Sequence, residues 1–243
     1  MKKILNKLFS RIRKEFQINH NKSIFEMFEE EEKIKCYEYF KKFFKKAIFL
    51  DPSLIRKYAI QKAINNNFFD KKNSEAVGYF DLEFGVFKGE SINFFSNFVE
   101  KIYGFDSFKG LNEDWIGTSL PKGEFKLDKV PEVNQNVVLI KGNVQETLSD
   151  FLKSKNPKIR FVHMDLDTYE SSKFVLELIK PYLVDKCIIL FDELYNFSGW
   201  DVGELKALNE TFDEKEFSYK AFSKTKSRVV IQININWFKL WST

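Results

Sequence analysis

The sequence predicts an α/β fold: a Rossmann-like sheet that is mostly parallel, preceded by an N-terminal helical extension and ending in an antiparallel hairpin. Two observations predict this class. Apolar residues recur at helical spacing in the first third of the chain, and from residue 78 short apolar runs alternate with helical segments. Because strands that alternate with helices form βαβ units, these strands lie parallel in one sheet. We expect a helical extension over residues 1–74 and the sheet domain over residues 75–243.

The helical extension is predicted from apolar residues spaced four apart, from Ile4 to Phe16 and again from Tyr37 to Ile48. A third helix is expected to begin at Asp51-Pro52 and to end at residues 65–67, where three asparagines follow one another. The basic first segment could bind a membrane surface. The favoured interpretation is a solvated helix whose apolar side packs on the domain or on a second subunit of a homo-oligomer.

In the sheet domain, the apolar runs place strands near residues 78–83, 102–106, 137–141, 160–165 and 187–191. Helices are expected near residues 89–100, 144–153, 170–180 and 202–213. Two last strands are expected from Phe217 to Phe222 and from Arg228 to Ile235, with a turn between them. The sheet is therefore expected to end in an antiparallel hairpin.

Composition excludes several classes of protein and site. The 243 residues carry 39 Lys and Arg against 35 Asp and Glu, a balance that disfavours a dedicated nucleic-acid binder. Two cysteines far apart and two histidines supply neither a disulfide framework nor a zinc ligand set, which fits a reducing cytoplasm. The apolar stretches are far shorter than the roughly 18 residues of a spanning helix, and the basic N-terminus lacks the apolar region of a signal peptide. We expect a cytoplasmic protein without a transmembrane segment.

A glycine-rich turn follows the first strand of the sheet domain. Glu83 ends that strand, and Gly85 and Gly89 precede a helix, so the backbone can approach a ligand closely at the helix N-terminus. The G-x-x-x-G spacing is not the dinucleotide pattern, and glycines needed only for a tight turn explain it equally well. Asp106 ends the next strand, 21 residues after Gly85, where an acidic side chain binds ribose hydroxyls. The alternative is that Asp106 caps the loop 107–111 through backbone amides alone.

Acidic residues also follow two later strands. Asp165 ends one strand, and Asp192 and Glu193 end the next. Since the carboxyl ends of parallel strands form the ligand crevice of an open sheet, these acids are expected to converge with Glu83 and Asp106. Carboxylates in one cleft repel one another unless a cation lies between them, and oxygen ligands suit Mg²⁺, with Mn²⁺ or Fe²⁺ as alternatives. The competing structural interpretation is that acids in these loops cap helices.

Four motifs give the sequence a family resemblance that covers roughly residues 75–235. They are Glu83–Ser91, Gly104–Leu111, Met164–Ser172 and Phe191–Glu193. In this order they resemble the macrocin and mycinamicin sugar O-methyltransferases, which belong to the class I fold that binds S-adenosylmethionine; four ordered motifs are more specific than any one. The resemblance implies that residues 75–243 form an S-adenosylmethionine-binding methyltransferase domain.

The resemblance also implies roles for particular residues. Those around the cofactor are Glu83, Gly85, Val86, Gly89 and Ser91 at the methionine part, Asp106 at the ribose, Gly142, Asn143 and Val144 at the adenine, and also Ser107 and Asp165. The divalent metal is held by Asp165, Asp192 and Glu193 and binds the substrate hydroxyl. Asp167 or a metal-activated water removes the proton, so Asp165 and Asp167 are the expected catalytic residues.

The sequence departs from the family pattern at two site positions. Glu193 replaces the usual aspartate, and Thr168 stands where catechol-type relatives have a lysine base, so the general base is unassigned. The polar segment from Leu111 to Gln135 is predicted to form a lid. His163 is expected to pack in the core. The candidates to line the sugar site are Tyr169, Tyr195 and Trp200, although packing is the commoner role of aromatic side chains.

The predicted function is a metal-dependent S-adenosylmethionine O-methyltransferase that acts on a sugar hydroxyl. The expected acceptor is a sugar or nucleotide-linked sugar of a bacterial surface polysaccharide, such as capsule, or of a glycosylated metabolite. A glycosyltransferase is one alternative, with Asp165-Leu-Asp167 as a D-x-D motif for a metal and a sugar nucleotide, but it leaves the Gly85 turn and the hairpin unexplained. The other alternative is a noncatalytic, methyltransferase-like module that docks through its amphipathic N-terminus.

Overall fold

The computed structural model describes residues 22–67 and 78–235. The helix predicted from Ile4 to Phe16 and the boundary predicted at residue 74 lie outside the described residues. No helix within the described residues is long and apolar enough to cross a membrane.

Helices and strands alternate as predicted. The helices are α1 (Ile24–Phe44), α2 (Pro52–Asn67), α3 (Glu90–Ser96), α4 (Val144–Lys155), α5 (Tyr169–Ile179) and α6 (Glu204–Thr211). The strands are β1 (Ile48–Leu50), β2 (Tyr79–Phe84), β3 (Ile102–Asp106), β4 (Val137–Lys141), β5 (Lys158–Met164), β6 (Leu183–Phe191), β7 (Phe217–Ser223) and β8 (Val229–Ile233). Every strand and helix predicted after residue 78 is present, with ends shifted by up to four residues.

The eight strands within residues 22–67 and 78–235 form one sheet in the order β1-β7-β8-β6-β5-β2-β3-β4. Strand β8 pairs antiparallel with β6 and β7, and the other pairings of the described strands are parallel. The predicted fold class, a mostly parallel sheet with a C-terminal antiparallel hairpin, is confirmed. The strand order reverses between β2 and β5, and open sheets of this kind bind ligands at the carboxyl ends of the strands beside such a reversal.

The register of the sheet explains why the predicted site residues meet at one edge. Phe84 of β2 pairs with Phe105 of β3 and with Met164 of β5. Met164 in turn pairs with Phe191 of β6. The residues that directly follow these four are Gly85, Asp106, Asp165 and Asp192. They therefore lie side by side at the carboxyl edge of the sheet.

The extension differs from its prediction near residue 48. The sequence pattern continues the second helix through Ile48, but α1 ends at Phe44 and Ile48 begins β1. Strand β1 pairs in parallel with β7 and forms an edge of the sheet. The helical interpretation of Ile48 is wrong because three consecutive apolar residues gain hydrogen bonds to a strand far along the chain. The predicted start of the next helix at Asp51-Pro52 and its end at Asn67 are confirmed by α2.

The described part of the extension packs on both faces of the sheet. Phe40 of α1 is fully buried and lies edge-on to Tyr219 and Phe222 of β7. The buried residues of α2, Ile55 among them, belong to a separate apolar cluster that does not include Phe40 and that contains Phe161 of β5. The sheet is therefore the middle layer of one core, and α1 and α2 contribute to its two outer layers. A division of the chain near residue 74 stays a prediction.

Candidate active site

A cavity of about 320 Å³ lies at the carboxyl edge of the sheet, beside the reversal of strand order. Seven of the residues that the sequence assigns to a cofactor line it: Gly85, Asp106, Ser107, Gly142, Asn143, Val144 and Asp165. Four others, Glu83, Val86, Gly89 and Ser91, are not among its lining residues. The structure thus brings the loops after β2, β3, β4 and β5 together in one site. The four residues outside the lining belong to the end of β2, to the turn after it and to the start of α3.

Gly85 brings two of these loops into backbone contact. Its φ is +87°, and a Cβ atom on it would lie 1.7 Å from the carbonyl oxygen of Asp165. The Gly85 N–H donates to the Phe105 carbonyl, and the Asp165 N–H donates to the Phe84 carbonyl, each at 2.9 Å. Only glycine accommodates both the left-handed conformation and this close approach. The tight turn and the shape of the cavity therefore depend on the same residue.

Glu83 and Ser91 support the turn from below. Glu83 is fully buried, and its Oε1 accepts a hydrogen bond from the Ser91 hydroxyl at 2.8 Å. Its Oε2 lies 3.2 Å from Nδ1 of His163, an ion-pair contact that is poorly aligned for a hydrogen bond. Gly89 has a φ of +81° at the residue that precedes α3. A contact of these residues, or of Val86, with a cofactor stays a prediction.

Asp106 holds the loops around it through backbone amides. Its Oδ2 accepts the N–H groups of Val86 and Phe87, both at 2.8 Å, and its Oδ1 accepts that of Phe108 at 2.6 Å. The loop-capping interpretation is therefore realised. A carboxylate has about four acceptor sites, so these three amides leave one on Oδ1 for a ligand hydroxyl. Because Asp106 also lines the cavity, the geometry permits the predicted ribose contact.

Three carboxylates form the other end of the cavity. One oxygen each of Asp165, Asp167 and Glu193 lies within 4.8 Å of the others. Burial raises the pKa of all three groups: that of Asp167 rises to about 7, and the neighbouring charge of Asp192 adds to the rise for Asp165. Oε2 of Glu193 is buried without a hydrogen-bond partner. A hard divalent cation fits this donor set, because it would supply the missing partner and offset the repulsion.

Asp192 is held differently. Arg228 donates to it through Nε at 2.6 Å and Nη2 at 3.0 Å, and Arg56 through Nη2 at 3.3 Å. Burial alone would raise the pKa of Asp192, but hydrogen bonds from His163 and Arg228 hold it well below its ordinary value. Asp192 is not among the residues that line the cavity, although it groups with His163 and Asp165 within 4.8 Å. Its predicted role as a metal ligand therefore competes with a double arginine contact.

His163 is buried, as the packing interpretation expects, but it does more than fill space. Its two ring nitrogens lie 3.2 Å from Glu83 and 3.3 Å from Asp192, on opposite sides of the ring. Burial alone would lower the pKa of His163, but these carboxylates outweigh that effect and raise it to about 9. The ring is therefore a buried cation at neutral pH.

Glu204 is a site residue that the sequence did not single out. It is fully buried at the start of α6 and accepts the N–H of Leu166 at 3.4 Å and that of Glu193 at 3.3 Å. It thereby joins the loop of Asp165 to the loop of Glu193. An acidic residue in the first turn of a helix is common for dipole reasons alone, so no local signal distinguishes it. Arg56 and Arg228 were not predicted either, because isolated arginines form no motif.

The segment predicted as a lid contributes two aromatic side chains to the wall of the cavity. Trp115 and Phe125 line the cavity, and Trp115 also contacts Phe197 in the loop after β6. The segment is closed by paired hydrogen bonds, in which Leu111 donates to Glu124 and Gly123 donates to Leu111, both at 2.9 Å. The Nε1 atom of Trp115 is buried without a partner. This arrangement is consistent with a lid over a bound ligand.

The aromatic residues predicted for the sugar site have partners other than the residues that line the cavity. The Tyr195 hydroxyl donates to the Ser223 carbonyl, and Trp200 donates to Glu32 at 3.1 Å. Both rings pack against the buried ring of Phe40. Tyr169 bonds to Glu210 at 2.5 Å on the surface. These residues are not among those that line the cavity, and their role in acceptor binding stays a prediction.

The fold and the cavity together define a doubly wound α/β protein with a cleft at the carboxyl edge of its sheet, lined by Asp106 and by three further carboxylates. Residues 82–194 match the model of a family described as a methyltransferase domain. This segment contains Gly85, Asp106, Asp165 and Glu193. This part of the chain is thus similar to a methyltransferase domain. No curated protein matches the sequence.

Solved methyltransferases share the fold. The crystal structure of CalS11, a calicheamicin methyltransferase, is 23% identical, with a TM-score of 0.58 over 79% of each chain. An apo structure of CalS11, described as a TDP-rhamnose 3'-O-methyltransferase of calicheamicin biosynthesis, is 21% identical, with a TM-score of 0.51 over 78% of each chain. The O-methyltransferase NovP is 18% identical, with a TM-score of 0.48 over 74% of this chain and 78% of that chain. The likeness to CalS11 confirms the Rossmann-like methyltransferase fold, and the domain match agrees with the predicted enzyme class.

Proposed function

We propose that this protein transfers the methyl group of S-adenosylmethionine to a hydroxyl of a sugar with the help of a divalent metal. One observation carries the proposal: a single cavity joins a ribose-type carboxylate, Asp106, to the acidic end of Asp165, Asp167 and Glu193, within a methyltransferase domain. Adenosine and a hydroxyl-binding cation are the two groups that such a cavity has to accommodate in O-methyl transfer.

The acceptor is proposed from two sources. The description of CalS11 names a TDP-sugar as its substrate, which supports a nucleotide-linked sugar here. The four ordered motifs support an enzyme of the macrocin and mycinamicin type within the same class. We extend this to a bacterial surface polysaccharide or a glycosylated metabolite as the destination of the methylated sugar, and to the cytoplasm as the place of reaction.

At the cofactor end, the residues of the chain bind and orient S-adenosylmethionine. Asp106 has one acceptor site left for a ribose hydroxyl, and Asn143 and Val144 line the wall where α4 begins. Gly85 keeps the turn after β2 against Asp165 so that both ends of the cavity keep a fixed separation. The cofactor, when bound, supplies an electrophilic methyl group. Positioning that group against the acceptor oxygen is the main contribution of the protein at this end.

At the acidic end, the chain holds charge and excludes water. The carboxylates would hold the metal, which lowers the pKa of a bound alcohol. The proton of the acceptor hydroxyl passes to Asp167 or to water, the two acceptors that the sequence leaves open. Trp115 and Phe125 line the cavity and would shield a bound ligand from solvent. Exclusion of water strengthens each electrostatic interaction inside the site.

The proposal is tested by methyl transfer from isotope-labelled S-adenosylmethionine to a panel of nucleotide-linked and free sugars. We expect label in at least one sugar, loss of transfer with EDTA and recovery on addition of excess Mg²⁺ or Mn²⁺. Transfer that persists in EDTA would contradict the metal part of the proposal alone. Absence of label from every sugar, with label appearing in a catechol or another non-sugar hydroxyl, would contradict the sugar part.

A further inference from the structure

We infer that the metal ligands of this protein are Asp165, Asp167 and Glu193, and that Asp192 is a buried anchor held by two arginines rather than a ligand. This inference rests on the proposed metal dependence and concerns which carboxylates serve it. It differs from the ligand set that the family resemblance implies, in which Asp192 takes the place of Asp167.

The carboxylate of Asp192 already has strong partners. Arg228 binds both of its oxygens, at 2.6 Å and 3.0 Å, which is the two-pronged geometry that favours an arginine–carboxylate pair. Its Oδ1 also lies 3.3 Å from Arg56 and 3.3 Å from Nε2 of His163. A metal ligated by Asp192 would have to displace part of this network.

The positive groups around Asp192 also argue against a metal ion at this carboxylate. Arg56 and Arg228 both contact one carboxylate, whose side chain is only 10% exposed. A divalent cation placed on Asp192 would lie close to two guanidinium groups in a poorly solvated region. Repulsion between like charges is strong where solvent does not screen it. The site next to Asp192 is therefore unfavourable for a cation.

No arginine holds the other three carboxylates in the described part of the chain, although Oδ2 of Asp165 lies 3.9 Å from Nε2 of His163. Among the residues that the structure describes, no lysine or arginine forms an ion pair with Asp165, Asp167 or Glu193. All three line the cavity, and Oε2 of Glu193 is buried without a hydrogen-bond partner. Ligand oxygens of an octahedral Mg²⁺ lie about 3 to 4 Å apart, so oxygens within 4.8 Å of one another need only a small inward rotation.

Glu204 supports this set by joining its two loops. It accepts the N–H groups of Leu166 and Glu193, and Leu166 lies between Asp165 and Asp167 in the chain. The ligands from β5 and from β6 are therefore fixed relative to each other by a residue that needs no contact with the metal. With Asp167 engaged by the cation, water is the remaining acceptor for the proton of the sugar hydroxyl.

The test measures Mn²⁺ binding directly, by the electron paramagnetic resonance signal of free Mn²⁺, without cofactor or acceptor. Loss of outer partners of a metal typically lowers affinity about 10- to 100-fold, so loss of a ligand is expected to cost at least that. We expect Asp167→Asn and Glu193→Gln to lose at least about tenfold more affinity than Asp192→Asn. The control Asp201→Asn removes an exposed charge that does not line the cavity and is expected to leave affinity within about twofold. A larger loss in Asp192→Asn than in Asp167→Asn would overturn the inference.

Asp192→Asn could fail to fold, because it leaves Arg228 buried without its partner. Arg228→Lys is the second variant, since it keeps the charge and removes the two-pronged contact. The inference predicts unchanged Mn²⁺ affinity, whereas a ligand role for Asp192 predicts a severalfold gain as Asp192 is released. No Mn²⁺ binding by the wild type at millimolar concentration would overturn the inference, and labelled methyl transfer in EDTA would then show separately whether the proposed reaction survives.

Discussion

Replacing Gly85 by alanine is expected to abolish ligand binding in the cavity. The new methyl group would lie 1.7 Å from the carbonyl oxygen of Asp165, and this atom belongs to backbone that cannot rotate away. The loops after β2 and β5 must therefore separate, which moves Asp106 relative to the acidic end. Displacement of about 1 Å in a catalytic site can cost about 100-fold in rate. We expect at least a comparable loss in affinity for S-adenosylhomocysteine, measured by calorimetric titration.

Gly123→Ala is the matched control. Gly123 has a φ of +88°, almost that of Gly85, but a Cβ atom on it meets nothing within 4 Å. This variant carries only the conformational cost of alanine in the left-handed region, about 1 kcal/mol. We expect it to bind S-adenosylhomocysteine like the wild type. Equal losses in both variants would mean that backbone conformation, and not the contact with Asp165, accounts for the effect.

Replacing His163 by glutamine is expected to remove a buried positive charge that stabilises the fold near the site. The ring lies between Glu83 and Asp192, and a neutral amide in its place would leave these carboxylates without a charged neighbour on that side. A folded-state pKa of about 9 against 6.5 in the unfolded chain corresponds to about 3 kcal/mol of stabilisation. We expect that loss in the free energy of unfolding at pH 6, measured by urea denaturation.

The loss of stability in His163→Gln is expected to decrease as the pH rises. Because the pKa of His163 is higher in the folded state, folding favours the protonated ring. The stabilisation is fully present below pH 6.5, falls as the pH rises and is lost above about pH 9. The difference between wild type and His163→Gln is therefore expected to be large at pH 6 and small at pH 9.5. A difference that stays constant between these values would show that His163 acts through packing alone.

The sheet was predictable because its information is local. Apolar runs such as residues 187–191 and helical segments such as 144–153 each fix one element, and alternation of the two fixes parallel pairing. The exception, β1, depends on pairing Ile48 with Ala221, which no local pattern indicates. The register of the strands then follows from which of their residues are buried. This register brings the residues that follow the strands together at the carboxyl edge of the sheet.

The site was predictable only in part, for the same physical reason. Asp165 and Glu193 follow strands, and their positions follow from topology alone. The contact of Arg56 with Asp192 spans 136 residues and depends on where α2 packs, so the sequence could not indicate it. Tyr195 and Trp200 follow β6 in the chain, but their rings pack against Phe40, because this contact buries apolar area. Proximity along the chain therefore overstated their access to the cavity.

The central claim is that the cavity beside Gly85 and Asp106 binds the adenosine part of S-adenosylmethionine. The most direct measurement is calorimetric titration of wild-type protein with S-adenosylhomocysteine, beside parallel titrations with a sugar nucleotide diphosphate and with NAD⁺. The account predicts one S-adenosylhomocysteine per chain, no binding of NAD⁺, and loss of the S-adenosylhomocysteine signal in Gly85→Ala. Binding of the sugar nucleotide diphosphate without any binding of S-adenosylhomocysteine at millimolar concentration would contradict it.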